Sequence, residues 1–86
     1  MKVQIGSVVK AAAGRDRDSF FVVTAMADGF CMIADGKSRK LASPKRKNMK
    51  HLHFTDSVIE LNDITDKKLR TMLRGYNGAA EQQEVI

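Results

Sequence analysis

Residues 20–36 read FFVVTAMADGFCMIADG and alternate two apolar segments with two Asp-Gly pairs. The first segment, residues 20–26, is rich in aromatic and β-branched side chains, which favours a central β-strand. Asp28-Gly29 separates it from a second apolar segment, and Asp35-Gly36 separates that segment from residues 37–41. Because Asp-Gly supplies the positive φ of a tight hairpin turn, the pattern predicts a three-stranded antiparallel meander.

The segments on either side extend this β pattern. Val3 and Ile5 alternate with polar residues and Val8-Val9 follows after Gly6-Ser7, which predicts a first strand with an irregularity at the glycine. Residues 45–50 are polar and basic and read as an exposed connection. In residues 51–54, alternation places the two apolar side chains on one face of a last strand and both histidines on the other. The sequence therefore predicts a mainly β fold, a small closed or nearly closed barrel of about five antiparallel strands.

The last third of the chain changes to helical spacing. Its recurring apolar residues are Ile64, Leu69, Met72, Leu73 and Tyr76. Thr65 is a suitable N-cap and Gly75 a suitable stop, so one C-terminal α-helix is expected, covering the barrel rather than binding a partner. The predicted organisation is a barrel over residues 1–55, a connection and packed helix over 56–76, and a frayed tail over 77–86.

Length and composition exclude several protein classes. The chain has 86 residues, enough for one small domain. Its longest nearly continuous apolar run, residues 20–27, is far shorter than the roughly 20 residues of a membrane span, and no signal peptide is visible. A single cysteine, Cys31, fits a reducing compartment, so a cytoplasmic location is expected. Secreted scaffolds, membrane proteins and large multi-domain enzymes are excluded.

The positive charge is concentrated in residues 37–55, which we call the basic segment. The chain carries a net charge of +5, yet residues 1–36 are neutral and residues 56–86 carry −2. The basic segment holds no acidic residue and seven basic ones: Lys37, Arg39, Lys40, Lys45, Arg46, Lys47 and Lys50. One interpretation is a solvated face or flexible loop. The absence of carboxylates favours a polyanionic partner instead. Membrane headgroups are the weaker candidate, because Lys45–Lys50 offers only Met49 as an apolar anchor.

A resemblance to a known family gives this charge a context. Residues 6–16, GSVVKAAAGRD, resemble the KOW motif, which alternates along a strand and ends in a glycine-containing loop. Residues 33–41, IADGKSRKL, and the segments PKRK and KHL that follow are also similar. Together they resemble the bacterial KOW-domain RNA-binding proteins related to a eukaryotic-type large-subunit ribosomal protein. The resemblance covers roughly residues 3–55 and, more loosely, the helix at 65–75.

The resemblance implies an SH3-like barrel that presents its KOW loop and neighbouring basic turns to structured RNA, with ribosomal RNA and ribosomal proteins as the expected partners. The relatives usually have a second glycine where Asp18 stands. Asp18 tolerates a left-handed conformation but adds a negative charge to the loop. Arg15 and Arg17 could alternatively pair with the neighbouring aspartates. The candidate RNA-binding residues are Lys10, Gly14, Arg15, Arg17, Lys37, Arg39, Lys40, Lys45, Arg46, Lys47 and Lys50.

The remaining residue types favour recognition through phosphates and shape. The phenylalanines fall in strand segments and are expected in the core, although adjacent Phe20 and Phe21 point to opposite faces. His51 and His53 share a face but lack further ligands, so no metal or other cofactor is expected. Cys31 is interpreted as a core residue, and no catalytic constellation is present, so the chain is not expected to be an enzyme or to bind a small-molecule substrate. The alternative function is a protein-interaction module that binds a peptide or acidic partner through the same barrel.

Overall fold

Five antiparallel strands and one C-terminal helix make up the fold. The computed structural model describes residues 4–14 and 17–85, and over 77–85 it describes the backbone only. The elements are β1 (Ser7–Ala11), β2 (Phe20–Ala27), β3 (Phe30–Ala34), β4 (Lys45–Asn48), a 3₁₀ turn (Met49–His51), β5 (Leu52–Val58) and α1 (Asp66–Val85). The strands form one sheet in the order β4-β3-β2-β1-β5. The predicted mainly β fold is confirmed, although the sheet is not closed.

The hairpin at Asp28-Gly29 is confirmed. Ala27 pairs with Phe30 across a two-residue turn, and Gly29 has a φ of +76°. Glycine adopts this left-handed conformation without the steric cost that a Cβ brings. The apolar segments before and after the turn are therefore neighbouring antiparallel strands, with β2 in the centre of the sheet.

The third strand of the meander is not where the sequence predicted it. Residues 37–41 form a loop, because the Asp35 carboxylate accepts hydrogen bonds from the amides of Lys37 and Arg39, both at 2.8 Å, and from the Ser38 hydroxyl at 3.1 Å. This local capping competes with strand pairing. The strand that pairs with β3 is β4, in the segment predicted to be an exposed connection.

The first and last strands also differ from their predicted bounds. Residues 4–6 do not belong to the first strand, because the Ser7 amide donates to the Gln4 carbonyl at 2.9 Å and Gly6 has a φ of +95°. These features form a turn, and β1 begins only after it. At the other end, β5 continues to Val58, well beyond the predicted residues 51–54.

Each face of the sheet packs into its own apolar cluster. One cluster contains Val9, Ala11, Phe21, Val23, Cys31, Ile33 and Leu52, with no residue from α1. Because these side chains are buried without a covering helix, the sheet must curl around them, as in a barrel. The other cluster contains Val8, Val22, Ala34, Ile59, Leu69 and Leu73 and lies under α1. Consecutive apolar residues in the central strands thus face two different cores.

Helix α1 begins as predicted but ends later. The Lys68 amide donates to the Thr65 hydroxyl at 3.1 Å, which caps the first turn, and Leu69 and Leu73 are buried against the sheet. Met72 is 38% exposed and does not belong to the buried stripe. The helix does not stop at Gly75, and the predicted tail at 77–86 has helical backbone as far as Val85.

The longer helix has a local explanation. A glycine in a helix interior costs only about 1 kcal/mol relative to alanine, and the strong helix formers AAEQQE follow it at residues 79–84. Within the described residues, no helix combines the length and the apolar character that crossing a membrane requires.

Candidate nucleic-acid interface

The β1–β2 loop, residues 12–19, corresponds to the loop of the KOW-like motif. Its ends are held by hydrogen bonds from the Ala11 amide to the Ser19 carbonyl at 2.9 Å and from the Asp18 amide to the Ala11 carbonyl at 2.8 Å. Gly14 and Asp18 have φ values of +82° and +70°, so the aspartate adopts the left-handed conformation that its position requires. Gly14 and Arg17 are exposed, whereas Arg15 lies outside the described residues.

Strand β4 and the 3₁₀ turn lie against this loop. The Lys47 ammonium donates to the Ala13 carbonyl at 3.2 Å, and the Ala12 amide donates to the His51 carbonyl at 2.8 Å. Lys50 and His51 are exposed on the 3₁₀ turn. We call the β1–β2 loop, Lys47 and the 3₁₀ turn together the loop surface. The fold thus brings part of the basic segment next to a loop about 35 residues earlier in the chain.

The cations of β4 are divided between the two faces of the strand. Lys45 lies opposite Ile33 and Lys47 lies opposite Cys31 in the antiparallel pair. Because opposite residues share a face of the sheet, both lysines point to the side of the curled interior, and both are half-buried. Inward-pointing lysines on an edge strand disfavour pairing with a second sheet, and their long stems can cover apolar surface. β4 therefore presents its charges in two directions instead of as one uniform patch.

Arg46 lies on the opposite face of β4 from these lysines. It is exposed, and its guanidinium carbon is 3.8 Å from the centroid of the Phe30 ring. Phe30 is therefore not a core residue, contrary to the prediction, because its alternation places it outside the curled interior and beneath an arginine. A guanidinium over an aromatic face is attracted by the ring and can still donate its N–H groups to an acceptor.

The other predicted cations lie toward α1. Lys37, Arg39 and Lys40 belong to the loop that Asp35 caps, and the Leu41 amide donates to the Asp66 carboxylate at 2.7 Å. Lys37 and Lys40 are exposed, whereas Arg39 is half-buried. This arrangement attaches the first part of the basic segment to the first turn of the helix.

Lys10 lies on the same outer face of the sheet as the helix. Its ammonium is 5.8 Å from the centroid of the Phe20 ring and 3.8 Å from the Asp18 carboxylate. The side chains of Lys10 and Asp18 are 38% and 77% exposed, so the ion pair contributes little to stability. Asp18 therefore pairs with Lys10 and not with Arg17, the alternative that the sequence left open.

The predicted residues therefore fall into separate surfaces. The loop surface contains Gly14, Arg17, Lys47 and Lys50. Lys10 and Lys37 lie toward the helix, whereas Arg46 lies against Phe30 on the outer face of β4. Two arginines that are not among the predicted RNA-binding residues, Arg70 and Arg74, line a groove together with Lys37. Their spacing of four residues, one helical turn, was the signal that could have indicated a common face.

The cysteine and the two histidines lie in different environments. Cys31 is 1% exposed, as predicted, and burial raises the pKa of its thiol, which keeps the sulfur protonated and weakly nucleophilic near neutral pH. His51 and His53 are exposed. Residues 4–14 and 17–85 contain no cluster of three potential metal ligands.

Comparison of the chain with protein-family models and with curated proteins gives no match. The KOW resemblance accordingly stays a prediction that rests on the residues quoted for it.

Proposed function

We propose that this protein is a non-catalytic RNA-binding module that acts in the cytoplasm on ribosomal RNA or the translation machinery. The observation that carries the proposal is the contact between Lys47 and the Ala13 carbonyl, which joins the acid-free basic segment to the β1–β2 loop. A polyanion that lies on the loop surface would meet cations from both parts of the chain. Each lysine or arginine that neutralises a phosphate releases condensed counterions and so favours binding.

The hydrogen bonds of the backbone near these cations support recognition of a folded RNA. Backbone hydrogen bonds hold the β1–β2 loop at both ends, and Asn48 accepts from the Lys50 amide at 2.9 Å at the start of the 3₁₀ turn. Cations at fixed positions fit phosphates at fixed positions, as in a folded RNA, better than those of a flexible strand. The proposed mechanism is therefore phosphate contact and shape recognition.

The aromatic side chains support the same mechanism. Phe21 is fully buried, Phe54 packs against the interior cluster, and Phe20 packs against Tyr76 with ring centroids 5.9 Å apart. Single-strand binders and peptide-binding barrels both require several exposed rings in one groove. In the part of the chain that the structure describes, Phe30 is half-buried under Arg46, so these modes are less favoured.

A competition experiment tests the proposal. Wild-type protein is bound to a fluorescent ribosomal RNA hairpin, and unlabelled competitors of equal length are added at constant salt: the folded hairpin, a sequence-scrambled single strand and a polyglutamate chain. We expect the folded hairpin to compete about tenfold more strongly than the single strand. Polyglutamate is expected to compete least. Equal competition by all three would identify a nonspecific polyanion binder and contradict the proposal.

Asp18→Gly is expected to raise the affinity for folded RNA about two- to threefold, because it removes a negative charge from the loop and releases Lys10. Asp63→Gly is the matched control, since Asp63 is also exposed, has a φ of +60°, and lies in the turn before α1. Fluorescence anisotropy measures both affinities. A decrease for Asp18→Gly, or an equal increase for Asp63→Gly, would contradict a role for the β1–β2 loop in binding.

A further inference from the structure

A groove beside α1 combines cations from two distant parts of the chain. It has a volume of about 280 Å³ and is lined by Ser19, Phe20, Asp35, Lys37, Arg70, Leu73 and Arg74. We call it the helix groove. This volume lies just below the range of roughly 300–1,000 Å³ for small-molecule sites, so the groove suits a group no larger than about one nucleotide.

The cations of the helix groove are held by the backbone around them. A Cβ added at Gly36 would overlap the Asp66 carbonyl oxygen, which shows how closely the loop after β3 approaches the first turn of α1. The hydrogen bond from the Leu41 amide to the Asp66 carboxylate fixes the other end of that loop. The backbone of Lys37 therefore has a defined position relative to the helix that carries Arg70 and Arg74.

Among the described residues that line the helix groove, three are cationic and one is acidic, so the lining keeps a net positive charge. Lys37, Arg70 and Arg74 form no ion pair there. Asp35 offsets one of these three charges, and its carboxylate is directed toward its own loop, from which it accepts three hydrogen bonds. Arginines four residues apart on a helix repel each other, and a bound anion would remove that repulsion.

The floor of the helix groove is apolar and partly aromatic. Phe20 and Leu73 line it, and the Phe20 ring packs against Tyr76. Lys10 approaches the same ring. A ligand with a phosphate on one side and a flat or apolar part on the other would match both the cations and this floor.

We propose that the helix groove binds the phosphate ester group of one nucleotide unit, with Lys37, Arg70 and Arg74 as its cationic partners and Phe20 beneath the adjoining sugar or base. The nucleotide is either part of the bound RNA or a free nucleotide. The first case rests on the proposed function and extends the RNA contact from the loop surface to α1. The second case is independent of it.

Two measurements test the proposal and separate these sources. In the first, adenosine monophosphate, adenosine and inorganic phosphate are titrated into ¹⁵N-labelled wild-type protein. We expect adenosine monophosphate to shift the amide signals around Lys37, Arg70 and Arg74, inorganic phosphate to shift them less, and adenosine to leave them unchanged. Arg70→Gln/Arg74→Gln should abolish these shifts, whereas Lys67→Gln/Lys68→Gln, which removes the same charge at residues that do not line the groove, should retain them.

The second measurement is the affinity of the same two variants for the folded RNA hairpin. A loss of about tenfold for Arg70→Gln/Arg74→Gln, with little change for the lysine variant, assigns the site to a phosphate of the RNA. Localised shifts with unchanged RNA affinity assign it to a free nucleotide. Unchanged RNA affinity without localised shifts would overturn the proposal while leaving RNA binding at the loop surface intact. If the wild type binds no RNA, the proposed function fails. The adenosine monophosphate titration alone then shows whether the helix groove binds a nucleotide.

Discussion

Gly36→Ala is expected to lower the free energy of unfolding by about 3 kcal/mol, whereas Gly29→Ala is expected to lower it by about 1 kcal/mol. Both glycines have a φ of +76°, so the backbone strain that a side chain introduces is the same at both positions. The two sites differ in their surroundings. At Gly29 an added Cβ has no heavy atom within 4 Å. At Gly36 it overlaps the Asp66 carbonyl group and lies 3.1 Å from the backbone nitrogen of Arg70.

The additional cost at Gly36 arises because its neighbours are backbone atoms, which cannot move aside as a flexible side chain can. The loop after β3 must separate from the first turn of α1, which disturbs the packing of Leu69 and Leu73 on the sheet. Urea unfolding followed by circular dichroism measures both variants. Equal losses of stability would contradict the close approach of this loop to the helix.

Arg46→Glu/Lys50→Glu is expected to weaken binding to folded ribosomal RNA about 100-fold. Lys50 lies on the loop surface, and we expect a bound RNA to reach Arg46 on the adjoining outer face of β4, so that two attractive phosphate contacts become repulsive. Both side chains are exposed, so the variant is expected to keep its fold. Lys45→Glu/Arg46→Glu/Lys47→Glu should nearly abolish binding, but it also replaces two half-buried lysines, one of which contacts the β1–β2 loop. The double variant therefore separates RNA contact from folding.

Lys67→Glu/Lys68→Glu is the matched control for this charge reversal. Both lysines are exposed on α1, and their reversal removes the same four units of charge from the net +5. We expect a loss of no more than about threefold from the long-range electrostatic effect. Fluorescence anisotropy at constant salt measures both variants, and circular dichroism confirms that they are folded. Equal losses would mean that total charge, and not the basic segment, determines binding.

The sequence predicted the centre of the sheet well and its edges less well. The aromatic and β-branched residues of β2 and the Asp28-Gly29 turn favour one structure through local interactions alone, and the structure confirms it. β4 reads KRKN, residues with little intrinsic preference for a strand. It is a strand because it pairs with β3, and this tertiary contact leaves no local signal.

The candidate site was predictable only in part for a similar reason. Acid-free composition identified the basic segment, but the division of its cations depends on the register between β3 and β4. Because the Asp35 carboxylate accepts hydrogen bonds from residues 37–39, the predicted strand is a loop, and Lys37 lies near the helix to which this loop is attached. The helix groove depends on that long-range docking, so the roles proposed for Arg70 and Arg74 could not be predicted from helical spacing alone.

The salt dependence of RNA binding tests the central claim most directly. The affinity of the wild type for the folded hairpin is measured between about 50 and 300 mM salt, and the logarithm of the association constant is plotted against the logarithm of the salt concentration. With roughly five or six phosphates of the duplex hairpin neutralised, the slope should be about −5, and Arg46→Glu/Lys50→Glu should make it less steep by about 1–2. A slope near zero, or the same slope in the variant, would contradict binding through phosphate contacts of the basic segment.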